Sequence, residues 1–197
     1  AAQGIEADLI QYDAADLEAP KKIYDYISEK YNKLDILVNN AGVLLTGNLF
    51  VTNSTTVSDK DIKETFQTNL FSVISLTQAL LPLIKKSDAG RIVNVSTILS
   101  SLTLHTTENS PIAPAKEFAY NASKTALNAF TIHLALELKD TNIKVNSGHP
   151  GWVKTELGGP NAPMEVKDSY ETSLYLATLD KDGPSGGLFH KEETLPW

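Results

Sequence analysis

Cysteine is absent from the 197-residue chain, which excludes disulfides and thiolate metal sites and fits a reducing compartment such as the cytoplasm. The four histidines lack the spacing of a metal motif such as HExxH, so we expect no metal site. Cationic residues are scarce, and the net charge of −7 argues against a nucleic-acid surface, because phosphate binding needs clustered Lys and Arg. No apolar run reaches ~18 residues, so the sequence predicts no membrane span.

The length and composition are those of one globular domain. A chain of 197 residues with 42% hydrophobic and 21% charged residues can bury one substantial core, and we expect a single domain over residues 1–197. Hydrophobic periodicity predicts strands at 6–12, 34–38, 91–95, 143–147 and 187–189, and helices at 20–31, 58–81, 116–138 and 163–179. This alternation predicts an α/β fold, a doubly wound parallel sheet (Rossmann-like) with helices on both faces.

Tyr120 and Lys124 stand one turn apart on a predicted helix, so their side chains share a face. A phenol ordinarily loses its proton near pH ~10, and a neighbouring cation favours the phenolate and lowers that pKa by ~1–3. The pair could then exchange protons near neutral pH. The alternative is an ordinary surface helix. A Ser–Lys hydrolase centred on Ser123 is disfavoured, because no G-x-S-x-G turn accompanies it.

Polar and small residues follow three of the predicted strands. The three segments are Asn39-Asn40-Ala41-Gly42, Ser96-Thr97 and His149-Pro150-Gly151. In parallel sheets, ligands bind beyond the carboxyl ends of the strands, where these segments would meet. The sequence therefore predicts a binding site at that edge of the sheet.

In order and spacing these segments, together with Asn69 and the Tyr120–Lys124 pair, resemble the short-chain dehydrogenase/reductase family in its compact single-domain branch. The resemblance runs from about Asp8 to the end of the chain. It implies hydride transfer between a nicotinamide cofactor and a small carbonyl or secondary-alcohol substrate. The implied cofactor is NADP or NAD, with NADP favoured, and the implied assembly is a homodimer or homotetramer.

The resemblance also implies four catalytic residues, namely Asn69, Thr97, Tyr120 and Lys124. Asn69 would hold a water that passes protons from the lysine, unless it is only a tolerated polar residue on a helix. Thr97 stands where the family has the second serine of a Ser-Ser pair. Threonine keeps the hydroxyl donor, but its branched carbon crowds the pocket, and Ser96 is the alternative.

Cofactor contacts are implied for Asp13, Asn39, Ala41, Gly42, Tyr120, Lys124, Pro150, Gly151, Val153 and Thr155. Asp13 would meet the adenine ring unless it caps a helix, the role expected of Asp16. Asn39 and Ala41 would lie along the ribose side, while Asn40 and Gly42 shape the turn.

The segment from Pro150 to Thr155 would line the nicotinamide, and residues 156–166 would form a substrate lid. Ordinary Asn-Gly and Pro-Gly turns are the alternatives for the two loop motifs.

No segment of the chain matches the glycine-rich turn of the family, T-G-x-x-x-G-x-G, or its general form G-x-G-x-x-G. We therefore expect the first βαβ unit to be missing from this chain. The strand at 6–12 would then lack a neighbour, and the strand at 34–38 would be an exposed apolar edge. Either the chain is part of a longer protein, or cofactor binding is weak or absent.

Two functions from other classes remain open. One is a non-catalytic scaffold or regulatory member of the fold, which the missing glycine turn favours and the intact catalytic set opposes. The other is a purely structural dimer built on the helices at 58–81 and 116–138. A structural dimer would not explain the polar residues at the strand ends.

Overall fold

The structure, a computed structural model, describes residues 6–16, 18–46 and 52–197, in which helices and strands alternate. The elements are α1 (Ala19–Lys30), β1 (Ile36–Asn39), α2 (Asp59–Phe66), a π-helical turn (Gln67–Phe71), α3 (Ser72–Ile84), β2 (Arg91–Val95), α4 (Leu102–Thr106), α5 (Phe118–Glu137), β3 (Lys144–Gly148), α6 (Glu171–Ala177), β4 (Leu188–His190) and β5 (Glu193–Leu195). Short 3₁₀ turns cover Ile98–Ser100 and Val166–Asp168.

The strands form one sheet in the order β1-β2-β3-β4-β5. The first four strands are parallel, and only β5 runs antiparallel, against β4. Val95 at the end of β2 is in register with Gly148 at the end of β3. The predicted parallel α/β sheet is confirmed, and the carboxyl ends of β2 and β3 lie side by side.

Both faces of the sheet are covered by helices. On one face, α3 and α5 pack against the central strands, with Leu83, Ile92 and Val145 at 1% exposure or less. On the other face, Leu176 of α6 packs on Val93. Ile92 and Val93, consecutive residues of β2, thus belong to clusters on opposite faces of the sheet.

A row of polar side chains crosses the sheet beneath α5. Asn39 donates from Nδ2 to Asn94 Oδ1 at 2.8 Å and to Thr77 Oγ1 at 3.1 Å. Asn94 in turn donates to Thr131 Oγ1 at 2.9 Å, and the Thr131 hydroxyl lies 2.9 Å from that of Ser147. All five residues are buried, and each finds a partner, as buried polar groups require. The row ties β1, β2 and β3 to α3 and α5.

One helix among the described residues, Asp59–Ile84, is long and apolar enough by length and composition to cross a membrane, with a mean hydropathy of 1.2. In the structure 44% of that apolar window is buried. Leu80, Leu83 and Ile84 belong to the main core. One face of this helix therefore packs into the core of the domain.

The strand predicted at 6–12 is wrong. This segment has no ladder partner, and Leu9 is 99% exposed. A strand needs a neighbour to pair its backbone groups, and no described residue pairs with the outer edge of β1. The expected exposed apolar edge is confirmed, because Ile36 and Val38 of β1 are 43% and 41% exposed.

The helix predicted at 163–179 is wrong over its first half. Met164 instead forms a bridge with Val153, and α6 begins only at Glu171. The bridge holds the backbone extended where the periodicity favoured a helix. The remaining predicted helices are confirmed within a few residues. Ser58 is the N-cap of α2, and its Oγ accepts a hydrogen bond from Asp61 N.

Candidate active site

A cavity of about 760 Å³ opens at the carboxyl ends of β1, β2 and β3. This is the edge at which the sequence predicts a site. The cavity is lined by most of the predicted site residues, namely Gly42, Thr97, Tyr120, Lys124, Pro150, Gly151, Val153 and Thr155. Asn69, Asp13, Asn39 and Ala41 do not line it.

Tyr120 lies in the first turn of α5, against the cavity, with only 7% of its surface exposed. Removal from water disfavours the charged phenolate, so burial raises the pKa of Tyr120 to about 12. The phenol is therefore fully protonated at neutral pH.

Lys124, one turn further along α5, is buried in the same wall. Its Nζ donates to the Val95 carbonyl at 2.7 Å. Burial lowers the pKa of Lys124 to about 8, because the ammonium form loses its hydration. The expected lowering of the tyrosine pKa by this lysine is not found, since burial dominates at both groups. The predicted shared face of the helix is found.

Asn69 lies at the centre of the π-helical turn and is fully buried. Its Nδ2 donates to Val43 O at 3.0 Å and to Ser123 Oγ at 3.1 Å, while its Oδ1 accepts from Val43 N at 2.8 Å. The wider π turn aims this amide at the loop after β1, and such turns often occur at functional sites. Asn69 thus fixes the backbone beside Gly42.

Ser123 has a structural role in the described structure. Its hydroxyl donates to Tyr120 O at 2.7 Å and accepts from Asn69, and the residue is fully buried. An inaccessible hydroxyl is a poor nucleophile. The structure therefore gives no support to a Ser–Lys hydrolase.

Asn69→Ala should destabilise the fold by about 1–3 kcal/mol, because Val43 would keep a backbone N–H and a C=O without their partner. Urea unfolding of the variant measures the loss. Gln67→Ala is the matched control in the same turn, where the half-buried side chain makes one bond, to Ala14 O at 2.9 Å. Equal losses for the two variants would contradict this account of Asn69.

Thr97 and Ser96, the two candidate hydroxyls after β2, are used differently. Ser96 donates from Oγ to Asn128 Oδ1 at 2.8 Å and is 2% exposed. Thr97 Oγ1 accepts from Leu99 N at 3.2 Å, which leaves its own proton without an acceptor among the described residues. Thr97 can therefore donate a hydrogen bond into the cavity, while Ser96 is already engaged.

The predicted cofactor residues on the β1 side are not all brought to the cavity. Asn39 is committed to the buried polar row, Ala41 lies outside the lining, and Asn40 and Gly42 line the cavity instead. A Cβ on Gly42 would lie 3.4 Å from both Asn69 Oδ1 and Lys124 Nζ. The roles of Asn39 and Ala41 toward a cofactor remain predictions.

Asp13 lies away from the cavity, in the turn that precedes α1. Its Oδ1 accepts from Ala15 N at 2.9 Å. Asp16 Oδ1 accepts from Glu18 N at 2.9 Å, but the N-cap of α1 is Glu18, which has no side-chain cap, so the expected capping role of Asp16 is not found. The adenine contact of Asp13 remains a prediction.

The loop after β3 forms the far wall of the cavity. Gly151 has a φ of +103°, a backbone conformation that favours glycine because side chains rarely tolerate it. Thr155 Oγ1 accepts from Gly158 N at 3.1 Å. Within the predicted lid, Leu157 and Gly158 line the cavity. The movement implied by a lid remains a prediction.

Sequence reasoning placed His149 in one of the strand-end segments but gave it no role of its own. It follows β3 directly and lines the cavity. Its position before Pro150-Gly151, in a predicted ligand-binding turn, was a signal that could have found it.

Comparison with known proteins agrees with this geometry. Residues 1–165 match the family described as short chain dehydrogenase. The chain belongs to this family. Human carbonyl reductase [NADPH] 1 is 29% identical over 233 aligned residues, which cover all of this chain and 82% of that protein.

Solved structures of short chain dehydrogenases share the fold as well. Carbonyl reductase Sniffer of D. melanogaster has a TM-score of 0.80 and 30% identity, over 95% of this chain and 77% of that one. The NADPH-bound carbonyl reductase from chicken fatty liver has a TM-score of 0.80 and 25% identity, over 94% of this chain and 75% of that one. As a short chain dehydrogenase, the protein is an oxidoreductase.

Proposed function

We propose that the protein is an NADPH-dependent reductase of small carbonyl compounds, which in reverse oxidises the corresponding secondary alcohols. The observation that carries the proposal is the burial of Tyr120 and Lys124 in the wall of one cavity, which is also lined by Thr97, whose hydroxyl donates to no described residue. The names of the similar proteins, carbonyl reductases of which one is described as NADPH-bound, support the choice of cofactor and substrate class.

The residues of the cavity fit the nicotinamide half of such a cofactor. Gly42 presents bare backbone close to Lys124, since a Cβ there would lie in van der Waals contact with Nζ, at 3.4 Å. Lys124 has three N–H donors and uses one on Val95 O, which leaves donors for ribose hydroxyls. Gly151, Val153 and Thr155 would hold the carboxamide. The bound nicotinamide would supply the hydride.

Tyr120 is suited to donate a proton to the substrate oxygen. With a pKa of about 12, the phenol keeps its proton at neutral pH until negative charge develops on the substrate oxygen. Thr97 would donate a second hydrogen bond to that oxygen. Alcohol oxidation needs the phenolate of Tyr120, which burial disfavours. At pH 7 the protonated phenol therefore favours reduction of a carbonyl over oxidation of an alcohol.

Lys124 and Asn69 complete the proposed proton path. With a pKa of about 8, the lysine can lose and regain a proton near neutral pH. Asn69 Oδ1 accepts one bond, from Val43 N, and a carbonyl oxygen has a second lone pair that could hold a water. That water would return protons toward Lys124 and Tyr120.

Residues 156–166 would close over the substrate, since Leu157 and Gly158 already line the cavity. We also propose a cytoplasmic enzyme that forms homodimers or homotetramers. The cysteine-free composition supports the location.

NADPH should bind with an increase in nicotinamide fluorescence, and its absorbance should fall when a ketone is added. Titration of the purified protein, with NADH in parallel, measures the affinity and the preference. If neither nucleotide binds, the non-catalytic member of the fold is the better description.

A further inference from the structure

His149 is held firmly by its backbone while its ring is unpaired. Its N–H donates to Phe189 O at 2.7 Å, and its carbonyl accepts from Thr172 Oγ1 and from the His190 ring, each at 3.0 Å. The ring itself makes no hydrogen bond to any described residue. Nδ1 is sealed from solvent, whereas Nε2 is not among the sealed atoms, and the residue lines the cavity.

The imidazole is uncharged at neutral pH. Burial, together with the His190 ring whose centroid lies 5.0 Å away, lowers the pKa of His149 to about 4. A neutral ring has one N–H and one lone pair. A buried N–H without a partner is rarer than a buried unpaired acceptor, so the proton belongs on Nε2 and the orphan lone pair on Nδ1. The Nε2–H of His149 is therefore a neutral hydrogen-bond donor that faces the cavity.

The surroundings of this donor decide what it can recognise. Ile98, Leu99, Ile112 and Leu157 make much of the cavity wall apolar, and the described lining holds no Asp, Glu or Arg. In the proposed function, Tyr120 and Thr97 donate the hydrogen bonds to the reacting carbonyl oxygen. A donor that is left over in an apolar wall favours ligands with a further acceptor atom, because an unmade hydrogen bond at a buried group costs about 1–3 kcal/mol.

We propose that His149 is a specificity-determining residue that donates from Nε2 to a second, uncharged acceptor oxygen of the substrate. The preferred substrates are then ketones that carry an ether or ester oxygen besides the reacting carbonyl. The inference rests on the proposed carbonyl reduction and deepens it.

The test compares ketones that differ only by oxygen against methylene. Methoxyacetone and methyl propyl ketone are such a pair, and homologues move the ether oxygen along the chain. For at least one ether position, kcat/KM of the wild type should exceed that of the methylene analogue. His149→Phe should lower that value by about 10-fold, mainly through KM, and change the methylene analogue by less than about twofold.

Further variants separate recognition from packing. His149→Gln keeps a donor and should restore part of the preference. His133→Phe, on the exposed side of α5, is the matched control and should leave both substrates unchanged. NADPH affinity, measured by nicotinamide fluorescence, should be the same in all variants.

Each contrary outcome is decisive. If His149→Phe lowers kcat/KM equally for both ketones of every pair, or weakens the binding of NADPH instead, the ring does not recognise the substrate oxygen. Turnover of the ketones without any oxygen preference overturns this inference and leaves the proposed function intact. A wild type that reduces neither member overturns both.

Discussion

Tyr120→Phe is expected to lower turnover by at least about 100-fold while NADPH affinity stays within about twofold. The substitution removes one hydroxyl from a residue that is only 7% exposed and keeps its ring, so the packing of the first turn of α5 is retained. The lost atom is the proposed proton donor to the substrate oxygen. Ketone reduction, followed by the loss of NADPH absorbance, measures the first quantity, and nicotinamide fluorescence measures the second.

Tyr170→Phe provides the matched control. Tyr170 lines the same cavity but is 58% exposed, on the turn before α6. Its loss of a hydroxyl should change turnover by less than about threefold. Turnover that survives in Tyr120→Phe, or that falls equally in both variants, would remove Tyr120 from the mechanism.

Lys124→Met should abolish most turnover and yet raise the free energy of unfolding at pH 7. In the folded protein the pKa of Lys124 is about 8, against 10.5 for the ordinary lysine of an unfolded chain. At pH 7 the Lys124 ammonium is charged in both the folded and the unfolded state. Only in the folded state is this charge removed from water, which lowers the free energy of unfolding. A tenfold change in proton affinity is about 1.4 kcal/mol, so the cost is roughly 3 kcal/mol, partly offset by the bond to Val95.

The pH dependence gives the sign of the same effect. Between pH 8 and 10.5 the unfolded chain holds a proton on Lys124 that the folded protein has released, so wild-type stability rises with pH across that window. Tyr120, with its raised pKa, acts oppositely from about pH 10 upward. Urea unfolding from pH 7 to 10 should show this rise in wild type and in Lys139→Met, an exposed control. A similar rise in Lys124→Met would contradict the assignment.

The parts of the fold that were predictable depend on local patterns. The bounds of the strand Arg91–Val95 were predicted to the residue, because a short β-branched run that follows Gly90 favours a strand over a helix. Helix α5 differs from its prediction by about two residues at its start and one at its end. Strand pairing is non-local. The absent first βαβ unit predicted that 6–12 would lack a neighbour, but the sequence could not show that β5 folds back on β4.

The candidate site was predictable in place but only partly in its chemistry. The strand-end motifs located the cavity, and the helical spacing brought Tyr120 and Lys124 to one wall. Their pKa values depend on burial, which spacing does not show, so the expected direction for the phenol was wrong. The π turn around Asn69 and the unpaired ring of His149 also depend on tertiary contacts.

The buried row from Asn39 through Asn94 to Ser147 has a consequence for how this enzyme can vary. A strand advances by about 3.3 Å per residue, so a slip of one position in β2 would carry Thr97 further than the length of a hydrogen bond. Amides and hydroxyls that never meet the substrate thus hold the alignment on which the chemistry depends. Substitutions in this buried row would then abolish activity while the protein stays folded. Their kinetic effects would resemble those of substitutions at the catalytic residues themselves.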